Sequence, residues 1–428
     1  MKRVASLVNR LGSRRAMKHV SWLMGAQGIN LGIQAATFIL LARLLGAFQY
    51  GIFSGAYALI NALAPYAVLG AGMLFMRYVT ERPDMARVYW GNAIAICCSI
   101  GFLIAIGLYF IGPRFAKVGN GWLFFLLALG YCLFTQIITV GASVFQTLGK
   151  FEFTAILTAV GNAVRLVVLL VMFLLLKHAT AIQWALGSLL AAAIACSYTI
   201  FSVHKDIGRM RPDWSVMRKR FGEGIGFSFA GTTQAIYNDI DKMVLGRDGY
   251  IAQNGAYSVA YRIVDFATAP LAAVDTVVLP KFFALSSKGI RNTLPLLYRS
   301  IFSTGGLGIL IGLGIVLVSP LIPHLVGKGY ASVSLALIWL APLPFLRALH
   351  RLTGGVLTGS GHQNLRTATQ LLVAVINAVL NVLLIPGRGW IAAAWVSLIS
   401  DGTLAALTVV VLFLLVKRQP PLITESAT

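Results

Sequence analysis

The chain has 428 residues, of which 58% are hydrophobic and only 11% charged, with a mean hydropathy of +0.81. That is too apolar for a soluble protein of this length and excludes most soluble enzymes. The formal net charge of +22 would suggest nucleic acid in a soluble protein, but here the bases are sorted by position along the chain, which excludes a nucleic-acid partner.

In chain order, residues 1–19 place Val4, Leu7, Val8 and Leu11 at helical spacing among Arg and Lys, which predicts a basic amphipathic helix on the inner leaflet. Apolar stretches then recur, each long enough to cross ~30 Å of hydrocarbon as a helix. They run over 20–42, 52–76, 88–111, 122–145, 154–176, 180–203, 222–245, 255–280, 300–319, 330–352, 367–385 and 389–416. No alternating β pattern is present, so the expected fold is an all-α polytopic membrane protein of about 12 transmembrane helices. The bases concentrate before the first span, in the even-numbered loops and in residues 204–221, which by the positive-inside rule puts both termini in the cytoplasm. The four cysteines (97, 98, 132 and 196) lie inside spans without CxxC spacing and read as small packing residues.

The two halves repeat. Gly51-Ile52-Phe53-Ser54-Gly55-Ala56-Tyr57 returns as Gly255-Ala256-Tyr257-Ser258-Val259-Ala260-Tyr261, with Gln34 and Leu45-Gly46 before one copy answering to Gln234 and Leu245-Gly246 before the other. Ala159 to Val164, which contains Asn162, is matched by Ala374 to Val379, which contains Asn377. A duplicated unit of roughly 210 residues follows. Six spans per half make the repeats parallel around a central cavity. The expected organisation is a first six-helix bundle over 20–203, a basic cytoplasmic linker over 204–221, a second bundle over 222–416 and a tail over 417–428.

Polar side chains inside the spans are the candidate site. Gln27, Asn30 and Gln34 share a face of span one; Gln234, Asn238 and Asp241 share one of span seven; Gln370, Asn377 and Asn381 share one of span eleven. Such stripes either bond helix to helix or line a water-filled cavity. Ionisable residues are costlier, at ~2.5–3.5 kcal/mol for a charge at mid-bilayer, and are functional candidates by default. They are Arg165 in span five, Asp239, Asp241 and Lys242 in span seven, Arg262, Asp265 and Asp275 in span eight, Arg347, His350 and Arg351 in span ten, and Asp401 in span twelve. Arg262 and Asp265, at i and i+3, are spaced for a local ion pair or for ligand contact. Arg347, His350 and Arg351 share a face and would form a cationic patch at a cytoplasmic vestibule. Arg165 and Asp401, both near mid-span, would neutralise each other across the halves. No catalytic, phosphate-loop or metal-ligand motif is present, and the short outer loops leave no room to present catalytic groups, so neither an enzyme nor a cofactor is expected.

Ala42-Arg43-Leu44-Leu45-Gly46 followed by Tyr50-Gly51, Asp241-Lys242-Met243-Val244-Leu245-Gly246, and Leu384-Ile385-Pro386-Gly387 before Trp390-Ile391-Ala392-Ala393-Ala394 resemble, in order and spacing, motifs of bacterial polysaccharide flippases. These belong to the multidrug/oligosaccharidyl-lipid/polysaccharide exporter superfamily. The resemblance implies an inner-membrane O-antigen or exopolysaccharide repeat-unit flippase, whose substrate is an undecaprenyl-pyrophosphate-linked oligosaccharide. On this reading Arg165, Lys242 and Arg262 contact phosphate, the amides Asn30, Gln34, Gln234 and Asn238 hydrogen-bond sugar, and Asp239, Asp241, Asp265, Asp275 or Asp401 takes a coupling proton or sodium ion. Whether a polysaccharide polymerase is a partner stays open. The acids of spans seven and eight, which equal or outnumber the bases there, keep a second reading: a multidrug cation antiporter of the same superfamily.

Overall fold

A computed structural model describes residues 14–286 and 289–418. Most of the expected amphipathic segment 1–19, the tail beyond 418 and the side chain of Gln27 lie outside the described residues. Among the described residues the chain is helical and contains no strand.

Among the described residues, ten helical segments are long and apolar enough to cross a membrane. The number differs from the expected spans for two physical reasons. The first two spans run together, because α1 (Arg14–Val68) is broken at Gly46 by a bend rather than by a loop. Gly46 takes φ 67° and ψ 168°, a left-handed conformation that a side chain resists, and this explains the glycine of the Leu45-Gly46 motif. The short α2 (Ala71–Glu81) completes the second rod. The seventh span, within α7 (Trp214–Arg247), has 34 residues, but its charged ends and its Asp239, Asp241 and Lys242 lower its hydropathy.

The remaining helices are α3 (Ala86–Ala116), α4 (Gly121–Thr147), α5 (Phe151–Leu175), α6 (Ala181–Ile207), α8 (Ile251–Ser286), α9 (Ile290–Val326), α10 (Val333–Gly359), α11 (Gln363–Arg388) and α12 (Trp390–Arg418). Thr180 and Gln183 form a reciprocal capping box at the start of α6. A π-helical turn, Leu129–Phe134, interrupts α4.

Two compact units result. Among the described residues, one comprises 14–45, 59–115 and 119–232; the other comprises 46–58, 116–118, 233–286 and 289–418. The first is cored by Phe75, Trp90, Ile94, Ile137, Val140 and Phe145, with Cys97 and Cys196 packed among them. The second is cored by Phe282, Ile290, Leu297, Leu352, Val356 and Leu412. Outward positions are apolar as well: Leu174 is 83% and Phe302 86% exposed, as expected where the solvent is lipid rather than water.

Helices enter the basic 204–221 segment from both ends, leaving a short connector. It lies along α3: Arg87 Nε donates to the Ile207 carbonyl at 2.7 Å, Arg211 N to the Arg87 carbonyl at 3.1 Å, and Asp213 N to Asn92 Oδ1 at 2.8 Å. Ser215 donates through its hydroxyl and its N–H to Asp213, and these bonds hold that carboxyl below the usual carboxylate range. The cap is therefore present at neutral pH and is lost as pH falls through the lowered value.

The repeated motif packs on itself inside the second unit. Ser54 and Ser258 meet with hydroxyls 2.6 Å apart, and Asn254 Nδ2 donates to the Gly51 carbonyl at 3.0 Å. A Cβ on Gly51 would stand 1.8 Å from the Ile251 carbonyl oxygen, and one on Gly255 would stand 1.9 Å from that of Ala47. The two copies thus cross backbone to backbone with matching residues opposed.

Candidate functional site

The second unit gathers most of the intramembrane charge into one bonded network. Helical spacing sets it up: Tyr257, Tyr261 and Asp265 lie on one face of α8, and Arg347 and Arg351 on one of α10. Arg347 is the hub. Its Nη1 donates to Asp265 at 2.8 Å, its Nη2 to the Tyr261 hydroxyl at 2.8 Å, and its Nε lies 3.4 Å from Asp401 Oδ2 on α12. Asp401, with only 5% of its side chain exposed, also accepts from the Tyr237 hydroxyl of α7 and has His350 Nε2 at 3.7 Å. A buried carboxylate with one guanidinium and a phenol donor is a satisfied charge, which is the condition for its burial.

A second cluster adjoins through Tyr261, whose ring lies 4.5 Å from Lys242 Nζ. Lys242 pairs with Asp239 and donates to the Asn238 carbonyl at 2.9 Å. Asp241 accepts from the Tyr257 hydroxyl at 2.7 Å and from the Lys242 N–H at 2.8 Å, and Tyr257 in turn lies 3.0 Å from the Ser397 hydroxyl. Nearer solvent, Arg351 meets Asp275 at 3.5 Å.

Several expectations change. The local Arg262–Asp265 pair is replaced by Asp265–Arg347, and exposed Arg262 lies over the Phe266 ring at 5.4 Å. The cationic patch of Arg347, His350 and Arg351 is matched by acids from α8 and α12, because an uncompensated cluster of bases between helices would cost far more than the pairs do. Within the second unit Asp401 is paired with Arg347.

Arg165, in the first unit, finds aromatic partners. It donates to the Tyr131 hydroxyl and sits 5.7 Å from that ring and 5.3 Å from the indole of Trp184. Tyr131 is delivered by the π-helical turn of α4. Such a cage holds a cation over the electron-rich ring faces.

The amides divide. Asn162 Nδ2 donates to Asn30 at 2.6 Å; Asn377, buried, donates to Ser400 at 2.9 Å, and Asn381 to Asn377 at 3.1 Å. These join helices. Gln234 and Asn238 bond each other at 3.2 Å on an exposed face, and Gln34 is half-buried. Tyr237, Tyr257, Tyr261 and Ser397 complete the network and were not singled out in the sequence; Tyr257 and Tyr261 could have been, since both lie in the repeated motif. Among the described residues no group of His, Cys, Asp and Glu is arranged to hold a metal ion.

Buried ion networks within a two-repeat bundle of membrane-length helices define a polytopic protein with the fold of the MOP-superfamily transporters. The chain belongs to the family described as polysaccharide biosynthesis protein, which it matches over residues 16–286. Its fold is similar to that of an inward-facing MATE multidrug resistance transporter, at 14% identity over 91% of this chain and 96% of that one, with a TM-score of 0.74. It is also similar to the lipid II flippase MurJ in an inward closed conformation, at 15% identity over 92% and 87% of the two chains, with a TM-score of 0.72. A third relative is a MOP-superfamily transporter from Pyrococcus furiosus, at 14% identity over 91% and 92%, with a TM-score of 0.60. No curated protein sequence matches the chain.

Proposed function

We propose that this protein flips an undecaprenyl-pyrophosphate-linked oligosaccharide repeat from the cytoplasmic to the periplasmic leaflet of a bacterial inner membrane, for O-antigen or exopolysaccharide synthesis. The observation that carries the reading is membership of a polysaccharide biosynthesis family on a transporter fold. The large polar headgroup cannot cross hydrocarbon unaided, whereas the polyprenyl tail stays in lipid, so alternating access need shelter only the headgroup. Arg165, held between the Tyr131 and Trp184 rings, is the chief phosphate contact, with Arg262 as a second base in that role. Both termini are placed in the cytoplasm by the distribution of bases.

The state of the acids bears on the multidrug alternative. A drug cation needs acids free to receive it, whereas Asp239, Asp265, Asp275 and Asp401 each meet a built-in base and Asp241 a tyrosine. The same pairing bears on coupling. A sodium ion would have to displace a fixed cation from these carboxylates, while a proton need only break one bond. Flipping in vesicles is therefore expected to persist in sodium-free buffer and to slow when the proton gradient is collapsed; the opposite pattern would return these acids to sodium binding.

The function is tested by deleting the gene and scoring surface polysaccharide together with accumulated lipid-linked repeat. Loss of the first with a rise in the second is expected. Complementation with Arg165→Ala should leave the protein inserted yet abolish export, a drop of tenfold or more, since a charge-assisted phosphate contact is worth about 1.5–3 kcal/mol. Normal polysaccharide with Arg165→Ala would remove this residue from the substrate path.

A further inference from the structure

We propose that the exposed face at the start of α7 binds the headgroup of an anionic phospholipid, a reading that rests on the cytoplasmic placement of the 204–221 linker. Trp214, Arg218, Phe221, Ile225 and Phe229 recur at helical spacing on one face of α7. All five are exposed, Trp214 at 65%. The apolar members suit hydrocarbon, and the one base in the stripe stands a turn away from an aromatic side chain on either side. From Trp214 to Phe221 the helix rises about 10 Å, enough to cross a headgroup layer of about 5–8 Å. With Phe221 at the edge of the hydrocarbon, Trp214 reaches the interface, where tryptophan is enriched, and Arg218 and Lys219 lie at the level of the lipid phosphates.

The charges on this turn are left for an outside partner. Each acid nearby is already engaged: Asp206 pairs with Lys150, Glu223 pairs with Arg77 and accepts from the Tyr78 hydroxyl, and Asp213 accepts from Ser215. Arg220 is turned onto the Tyr78 ring at 4.1 Å. Arg211, Arg218 and Lys219 are exposed, and among the described residues none of the three makes an ion pair. The bonds of the connector to Arg87 and Asn92 present these bases from a fixed support. The positive-inside rule asks only that bases lie on this side of the membrane. It does not ask that they stand unpaired beside an exposed tryptophan.

The ligand must bring negative charge to the bases and an acyl chain to the apolar stripe. A phosphatidylcholine headgroup carries its own cation and has no net charge to offer. Free phosphate leaves Trp214 and Phe221 unmatched. A phospholipid with a net negative headgroup meets both demands. Bound there, it would tie the passage from α6 to α7 to the composition of the inner leaflet.

The test is native mass spectrometry of the full-length protein released from detergent holding equal amounts of phosphatidylglycerol and phosphatidylcholine. Phosphatidylglycerol is expected to be retained in preference. Arg218→Gln with Lys219→Gln should reduce that preference about tenfold or more, since one base near an anionic surface is worth about fivefold in affinity. The control removes the same charge elsewhere: Arg299→Gln with Lys417→Gln, both exposed and in the second unit, should leave the preference near wild type. An equal fall in the control pair would overturn the proposal, because basic charge in general would then suffice. Equal retention of the two lipids by the wild type would also overturn it and leave this face to an acidic protein partner. So would loss of the bound phosphatidylglycerol to an equal concentration of inorganic phosphate, which would mark a bare anion site. None of these outcomes depends on whether the protein flips an oligosaccharide.

Discussion

Arg347→Met is expected to lower the protein's stability in detergent by about 3–5 kcal/mol, the general cost of removing one partner from a buried ion pair. Arg347 serves two carboxylates, of which Asp401 is the deeper, with 5% of its side chain exposed against 37% for Asp265. Without the guanidinium, Asp401 keeps the Tyr237 hydroxyl but loses its fixed counter-charge in low dielectric. The two acids should therefore respond differently as second-site changes. Arg347→Met with Asp401→Asn should recover a large part of the loss, because it removes the stranded charge. Arg347→Met with Asp265→Asn should recover less, because Asp265, 37% exposed, is the less buried of the two acids. Arg347→Lys should remain well below wild type, since a single ammonium cannot serve Asp265, Asp401 and Tyr261 in three directions. The measurement is thermal unfolding followed by size-exclusion or tryptophan fluorescence. An Arg347→Met protein as stable as wild type would show that the network is not a buried one.

Gly51→Ala and Gly255→Ala should each be at least as damaging, through geometry rather than charge. A methyl at either position falls within 2 Å of a backbone oxygen on the opposed helix, 1.8 Å for Gly51 and 1.9 Å for Gly255. No rotamer relieves that overlap, so the helices must separate and the Ser54–Ser258 and Asn254–Gly51 bonds must open. Overpacking of this kind costs about 1–3 kcal/mol in a deformable core and more against backbone. A cysteine pair reads the separation directly. Ser54→Cys with Ser258→Cys is expected to oxidise readily, since the native hydroxyls are 2.6 Å apart, and adding Gly51→Ala should abolish the cross-link. Efficient cross-linking in the triple variant would mean that the motif copies do not meet as described.

How much of this was legible in advance depends on the range of the interaction. The helices were, because hydropathy over about 20 residues and the absence of β alternation are local properties. The bend between the first two spans has a local cause, and the seventh span was legible despite its charges. Gly46 bends a helix where a loop was expected between spans, and α7 carries charges that lower the hydropathy of a membrane-length helix. The duplication was legible in Gly51–Tyr57 and Gly255–Tyr261, yet nothing in the string said that the two copies touch. Every intramembrane base and acid was identified as costly, and the partners assigned to them were then the nearest in sequence or the most symmetric. Of the two readings left open for Arg262, the local pair with Asp265 does not form, because Asp265 bonds Arg347 within the second unit.

The sequence by itself determined that this is a helical membrane protein built from two repeats, with its intramembrane ionisable residues concentrated in the second, because hydrophobicity, glycine placement and repetition are written residue by residue. Only the tertiary structure decided that Arg347 binds Asp265 and Asp401, that Lys242 binds Asp239, and that the tyrosines of the repeated motif complete the network. An ion pair falls off over a few ångströms, and which side chains come that close depends on the rotation of each helix about its axis, set by packing against residues up to 164 positions away.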